Sequence, residues 1–197
     1  MDKKSVSASL LVMFLALTFA VIGVCFTTFV YKKNIIKFEN IMVNAVSGID
    51  VFEDEKLTKK IEKLKLSDME LGLKPATGEL DAESQIPSTI TDEGTSEGYY
   101  ETIFVKASGS YRIVVKDIKI ETEKNQTEAN EERKNIFVSI KDLKNTTKSL
   151  EKDEFELVKF SNVSGSQKLT ILFWLGSLSG EELVGSKISF SLYFELI

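Results

Sequence analysis

Two patterns of apolar and polar residues divide the chain. Residues 8–30 form an apolar run without a charged side chain, and residues 10–30 read LLVMFLALTFAVIGVCFTTFV. At about 1.5 Å per residue, a helix of this length is long enough to cross a hydrocarbon core about 30 Å thick. Beyond the run, apolar residues alternate with polar ones in short segments, which is typical of half-buried β-strands. The chain therefore predicts one membrane helix followed by a β domain.

The alternation is clearest in the last forty residues. Apolar side chains share one face at Ile188, Phe190, Leu192, Phe194 and Leu196, and the same period occurs from Leu169 to Leu175. Strict alternation over nine residues predicts a half-buried antiparallel strand. Further strands are predicted at 35–46, 64–67, 99–107, 111–121, 136–140 and 155–160.

Turn signals connect these predicted strands. Residues 107–110, Ala-Ser-Gly-Ser, predict a hairpin turn between strands 99–107 and 111–121. The charged segment 121–135 predicts an exposed loop or a short polar helix. Many short strands with little helix predict a mainly β fold, an antiparallel β-sandwich of jelly-roll type preceded by one transmembrane helix.

The segment 67–98 differs in composition from the rest. It holds both prolines of the chain, eight acidic residues and one lysine, which predicts a long acidic loop inserted in the domain. Its carboxylates include oxygen ligands of the type that calcium needs. No twelve-residue loop with spaced ligands is present, so a solvated acidic loop is the preferred interpretation and no metal site is assigned.

The flanks of the apolar run favour an uncleaved anchor. Lys3 and Lys4 precede it, and Tyr31-Lys32-Lys33 follows it without a small-x-small cleavage site. Lysines on both sides leave the positive-inside count undecided, and the β-rich domain favours a cytoplasmic N-terminus. Two other interpretations remain open: residues 22–25 outline a lipoprotein box at Cys25, and residues 3–7 are similar to the start of archaeal pilins.

Charge and composition limit the functions of the domain. Residues 1–37 hold five lysines and one acid, so the remainder has 20 basic and 29 acidic residues and a net charge of −9. Such a surface repels nucleic acid, and no nucleic-acid partner is expected. The only cysteine, Cys25, lies in the apolar run, so disulfides within the domain are excluded. This usage is compatible with a Gram-positive surface protein.

No motif indicates catalysis. The chain contains no histidine, which excludes a Ser-His-Asp triad, a Cys-His dyad and an HExxH zinc site. No pattern selects one carboxylate pair, so an enzyme is not predicted, and neither catalytic, cofactor-binding nor metal residues are assigned. The lone tryptophan, Trp174, is predicted to be buried rather than to serve as an exposed anchor. Triplets at Asn125, Asn145 and Asn162 match glycosylation acceptors, which matter only in a glycosylating host.

The C-terminal segment 155–195, FELVKFSNVSGSQKLTILFWLGSLSGEELVGSKISFSLYFE, resembles the end of TasA/camelysin-like surface proteins of Gram-positive bacteria. The resemblance is carried by Trp174-Leu175, by 185–188 and by 190–195. It implies a jelly-roll-like β-sandwich at the cell surface, assembled in some members into biofilm fibres through exchanged strands. Some relatives carry a metalloprotease label, for which this histidine-free chain offers no ligands.

These observations predict a particular organisation and role. Residues 1–7 form a short cytoplasmic N-terminus, 8–31 a signal-anchor helix in the lipid bilayer, and 32–197 an extracytoplasmic β-sandwich domain with the acidic insertion 67–98. The predicted function is a non-enzymatic, single-pass protein of the cell membrane with a structural or adhesive role in the envelope or biofilm matrix. Its expected partners are further copies of itself or other surface proteins. The alternatives are a ligand-binding or accessory module of a membrane complex and a pilin-like filament subunit.

Overall fold

The computed structural model describes residues 13–25, 35–64, 69–70, 98–176 and 181–197. The chain divides into two compact units, Met1–Asn34 and Ile35–Ile197. Within the first unit, residues 13–25 form helix α1. None of the described helices is long and apolar enough to cross a membrane. Residues 8–12 and 26–31 of the predicted anchor lie outside the described residues, so the membrane helix stays a prediction, as does the acidic insertion, of which only 69–70 and 98 are described.

The second unit, called the β domain below, is mainly β, as predicted. Its elements in chain order are β1 Ile35–Phe38, β2 Ile41–Ala45, β3 Ile49–Phe52, β4 Lys63–Leu64, β5 Met69–Glu70, β6 Gly98–Glu121, α2 Gln126–Glu131, a 3₁₀ turn Glu132–Asn135, β7 Ile136–Ile140, β8 Lys148–Ser149, β9 Phe155–Leu175, a 3₁₀ turn Glu181–Leu183 and β10 Lys187–Leu196.

The strands form one mixed sheet, whereas the sequence predicted antiparallel pairing. Its order is β4-β2-β10-β6-β9-β7-β8, with β3 beside β6 and β1 beside β10. Strand β10 is antiparallel to β6 but parallel to β1 and β2. Alternation of apolar residues shows which face of a strand is buried and carries no information about its direction. Strands far apart in sequence need no hairpin and can therefore pair in parallel.

The predicted hairpin turn at 107–110 is wrong. Strand β6 is 24 residues long and continues through this segment without interruption. In the same way, β9 is one strand that includes both strands predicted at 155–160 and 169–175. Gly109 and Gly165 have φ angles of 113° and 100°, and they lie close together because Ala107 pairs with Gly165 and Gly109 with Val163. Glycine adopts positive φ without a steric penalty, so both strands bend here and continue.

The bent strands place the two ends of β6 and β9 in different layers. One layer holds β3, the first part of β6, the last part of β9, β7 and β8; the other holds β2, β10, the second part of β6 and the first part of β9. The rings of Phe173 on β9 and Phe190 on β10 lie 5.6 Å apart, so the layers face each other. A single hydrophobic core joins them, with members that include Ile36, Val43, Val105, Ile113, Ile171, Leu192 and Phe194.

Several local predictions are confirmed. The charged segment 121–135 contains the short helix α2, whose first turn is capped by Asn125, and its Ala129 is fully buried. The strand predicted at 136–140 is β7, although it is buried on both faces. The prediction of one strand over 35–46 is wrong in one respect, because the segment forms two strands, β1 and β2, which are separated at Asn40 with its φ of 55°.

Candidate functional site

A groove of about 610 Å³ lies between the turn after β7 and the bend of β9. Lys141, Asp142 and Leu143 of the turn form one side, and Phe160 and residues 167–170 of β9 form the other. These segments meet because β9 passes from one layer to the other while β7 pairs only with its far end, residues 171–175. The groove is therefore the open side between the layers at this edge of the domain.

The turn that forms the first side is held by a buried hydroxyl group. Thr146 is 3% exposed; its Oγ1 accepts the backbone N–H of Ile140 at 3.0 Å and lies 3.1 Å from the oxygen of Ile140 and 3.0 Å from that of Leu143. The hydroxyl thus bonds the backbone of β7 where a neighbouring strand would otherwise pair. Asp142 and Asn145 adopt positive φ within this turn, and short polar residues are the non-glycine types that tolerate that conformation.

The second side of the groove rests on Tyr111. Its ring is fully buried and stacks on Phe160 with centroids 4.9 Å apart, and its hydroxyl donates to Oε1 of Gln167 at 2.7 Å. Burial raises the pKa of Tyr111, so the phenol is a neutral hydrogen-bond donor at neutral pH. The bond holds the acceptor oxygen of Gln167 inward, which leaves its amide N–H groups as the donors available to a ligand.

The lining of this groove offers polar and charged groups to a ligand. Lys141, Lys168 and Asp142 are exposed charges at its margin, and Thr170 adds a half-buried hydroxyl 3.1 Å from that of Thr102. Two cations, an amide and a hydroxyl beside the ring of Phe160 can hold a polar ligand with a negatively charged group.

A second, smaller groove of about 380 Å³ lies between β2 and β3. The segment 59–64 crosses between them: the backbone N–H of Ile61 donates to the oxygen of Val51, and that of Val43 to the oxygen of Glu62. Lys60 and Asp50 form an exposed ion pair at its mouth, 2.6 Å apart. The crossing segment therefore forms part of the wall of this groove.

A charged cluster on β6 and β10 is structural. Glu195 accepts hydrogen bonds from Lys116 and Arg112, each at 3.0 Å, and these bonds hold the pKa of Glu195 below its usual range. Lys116 also lies over the ring of Tyr193, whose hydroxyl donates to Asp117. The cluster therefore links neighbouring strands across the solvent face.

The structure also locates the residues singled out in the sequence. Trp174 is fully buried, as predicted, and stacks on Phe137 in a small cluster with Leu172 on the face of β9 away from the main core. The asparagines of the three acceptor triplets, at 125, 145 and 162, are exposed. Among the described residues, no group of three acidic or cysteine side chains is placed to hold a metal ion. The acidic carboxylates of 71–97 lie outside them.

Sequence reasoning did not find the 610 Å³ groove. Its two sides come from segments that are separated by more than fifteen residues, and neither segment carries a recognisable motif. The one local signal was the polar turn Lys-Asp-Leu-Lys-Asn after β7, at residues 141–145, which indicates a loop and not its position over β9.

Comparison with known protein families, with curated proteins and with solved structures finds no match for this chain. The resemblance to TasA/camelysin-like proteins rests mainly on the C-terminal segment 155–195 and stays a prediction.

Replacing Thr146 with valine should lower the free energy of unfolding by about 2 kcal/mol, because the buried N–H of Ile140 would lose its acceptor. Chemical denaturation followed by circular dichroism measures this change. The matched control is Thr147→Val, since Thr147 is only half-buried and makes a single 3.2 Å bond to Ser139. Equal stability losses in the two variants would contradict the role assigned to Thr146.

Proposed function

We propose that the protein is a non-enzymatic, single-pass membrane protein whose β domain lies outside the cell and has a structural or adhesive role in the envelope or biofilm matrix. The observation that carries the proposal is the exposure of α1. Its large apolar side chains are between 49% and 75% exposed and cover about two thirds of the circumference of the helix: Met13, Phe14, Leu15, Leu17, Phe19, Val21, Ile22 and Val24. The remaining third carries Ala16, Ala20 and Gly23, which are also exposed and uncharged. An apolar surface of this kind needs cover, and lipid covers every face of a helix equally well.

The β domain supports the second half of the proposal. Its core is drawn from both layers of one bent sheet, and its polar surface carries strand-to-strand ion pairs such as that of Arg112 with Glu195. Two grooves formed by described residues of the domain are open to solvent. We infer that the finer fold is a β-sandwich of jelly-roll type, in agreement with the resemblance to TasA/camelysin-like surface proteins. A β-sandwich domain with a continuous core suits assembly and adhesion.

One observation favours a second candidate function. The groove beside the Lys141 turn has a firmly held wall, because Tyr111 fixes both Phe160 and Gln167. A ligand-binding or accessory module of a membrane complex would use such a site for a polar, anionic group. The pilin-like alternative predicts removal of residues 1–4 and burial of α1 in a filament core.

The proposal is tested on the full chain in its own cells. Sodium carbonate extraction should leave the protein in the membrane pellet, and protease added to intact cells should remove the β domain. Intact-mass measurement should give the full-length chain. Three results would contradict the proposal of a membrane-anchored surface protein. They are release of the protein by carbonate, protection of the β domain from the external protease, and a mass that lacks residues 1–4.

The role in assembly or adhesion needs a separate measurement. Full-length protein reconstituted into vesicles should cause the vesicles to cluster or to bind cell-wall and matrix polymers, whereas protein-free vesicles should do neither. If the vesicles neither cluster nor bind, the structural and adhesive role fails. Saturable binding of a small anionic sugar or peptide that is lost in Lys141→Ala would then favour the ligand-binding module.

A further inference from the structure

The first part of β9, residues 155–160, is an edge strand. One side of it pairs with β6, from Val115 opposite Phe155 to Tyr111 opposite Phe160. On its other side, β7 reaches only residues 171–175 of β9, and the last backbone bond from that direction joins the N–H of Lys141 to Thr170. Within the part of the chain that the structure describes, no strand pairs with the free side of 155–160. An open strand edge offers backbone donors and acceptors to another strand.

The sequence of this edge is self-complementary when it is read against a second, antiparallel copy. Residues 155–160 are Phe-Glu-Leu-Val-Lys-Phe. A two-fold axis between Leu157 and Val158 sets Glu156 of each copy opposite Lys159 of the other. It also sets the two phenylalanines opposite each other and the leucine opposite the valine. Every pair is therefore apolar with apolar or acid with base.

The side chains also point in a pattern that fits this symmetry. Glu156 and Lys159 are exposed, whereas Phe155, Val158 and Phe160 are partly buried against the core and Leu157 is buried. The order of exposed and inward residues is thus the same when it is read from either end. The irregular step in the pairing of β9 with β6, between Ile113 and Val114, is what lets two consecutive residues, Leu157 and Val158, both turn inward. Strict alternation would have placed Glu156 and Lys159 on opposite faces.

We propose that two copies of the protein associate through this edge, with 155–160 of each copy paired antiparallel to that of the other. The two sheets then become continuous across a two-fold axis. Such an interface is closed, since each copy uses the same patch and leaves no edge for a third. Opposite charges directly across an antiparallel pair stabilise it, and the Glu156–Lys159 contact occurs twice.

Within a single copy, neither charge of this edge is held in a close ion pair, so both are available to the second copy. Glu156 has only a loose 3.6 Å ion pair with Arg112, in which both side chains are 40% exposed or more. Lys159 has no acidic partner among the described residues. A strand of another sequence would leave Glu156 or Lys159, or both, without an opposite charge across the pair. The same two residues therefore disfavour pairing with other strand edges.

The association is weak in solution because six residues from each copy bury a small area. Its strength at a membrane rests on the proposed function, since two anchored copies share a surface and reach a high effective concentration. The pairing itself does not depend on the anchor. Its test is therefore made with the full chain in detergent, where loss of pairing and loss of membrane binding are separate results.

The experiment uses charge reversal at the two positions. Sedimentation equilibrium of the wild-type chain should show a monomer–dimer equilibrium. Glu156→Lys and Lys159→Glu should each raise the dissociation constant about tenfold or more, because each replaces two opposite-charge contacts with two like-charge contacts. The matched control is Lys119→Glu, which reverses an exposed lysine of β6 away from this edge and should leave the constant unchanged. Melting temperatures verify that every variant is folded.

Mixing the two single variants gives the decisive result. The Glu156→Lys chain carries two lysines at these positions and the Lys159→Glu chain two glutamates, so each repels itself while the mixed pair regains both opposite-charge contacts. Dye-labelled single variants should therefore show energy transfer only when they are mixed, and the double variant should pair like the wild type. A monomeric wild type at millimolar concentration, a dimer indifferent to the single changes or failure of the mixture to pair would each overturn the proposal.

Discussion

Replacing Phe190 with alanine should lower the free energy of unfolding of the β domain by about 3–5 kcal/mol. Phe190 is 1% exposed and lies on β10 in one layer, with its ring 5.6 Å from that of Phe173 in the other. The truncation therefore opens a cavity between the layers, where the surrounding strands cannot close in without breaking their ladders. For a domain of this size the melting temperature should fall by about 10 °C, as measured by calorimetry.

A double-mutant cycle tests the face-to-face packing directly. Phe173→Ala combined with Phe190→Ala should cost less than the sum of the two single changes, by about 0.5–3 kcal/mol, because both remove the same contact. Phe190→Leu retains most of the volume and should cost about 1.5 kcal/mol or less. Additive losses from the two alanine variants would show that the layers do not meet at this point.

Trp174→Ala should cost about as much as Phe190→Ala, about 3–5 kcal/mol. Trp174 is fully buried and stacks on Phe137 with ring centroids 5.5 Å apart and planes at 20°. This cluster lies on the opposite face of β9 from the main core, so its contribution should be independent of the Phe173–Phe190 contact. Guanidinium denaturation followed by circular dichroism measures the loss without relying on the indole.

The control for Trp174 is phenylalanine. The indole Nε1 is buried and has no acceptor in the described structure, and an unpaired buried donor destabilises by about 1–3 kcal/mol. Trp174→Phe removes that donor while keeping an aromatic ring against Phe137, so the two effects should nearly cancel and stability should change by about 1 kcal/mol or less. If phenylalanine costs as much as alanine, the indole N–H has a partner and this account of Trp174 is wrong.

The strands could largely be predicted from sequence, and the sites could not. The alternation from Ile188 to Leu196 predicts β10, and the alternation at 136–140 predicts β7. Such predictions succeed because the order of apolar and polar side chains along a strand is visible in the sequence itself. The groove exists because the backbone of Lys141 lies beside that of Thr170. The free edge exists because the pairing of β7 with β9 ends at Ile171 of β9. Both follow from the register of strands that are far apart in sequence.

The segment 107–110 shows why local chemistry is ambiguous. Small residues with a central glycine permit a tight turn and permit a bend equally well, since both need positive φ at Gly109. The bend is selected because β9 runs alongside with its own glycine, Gly165, opposite Ala107, and offers hydrogen-bond partners on both sides of the bend. A hairpin would have left β9 without a continuous neighbour.

The sequence by itself determined the apolar N-terminal run, the mainly β character of the rest, the absence of histidine chemistry and the burial of Trp174. The tertiary structure alone decided the parallel pairing of β10 with β2, the continuity of β6 and β9, and the edge left open at 155–160. The physical reason is that composition and side-chain burial are properties of single residues. Strand direction, bends and free edges depend on which distant segment supplies each backbone hydrogen-bond partner.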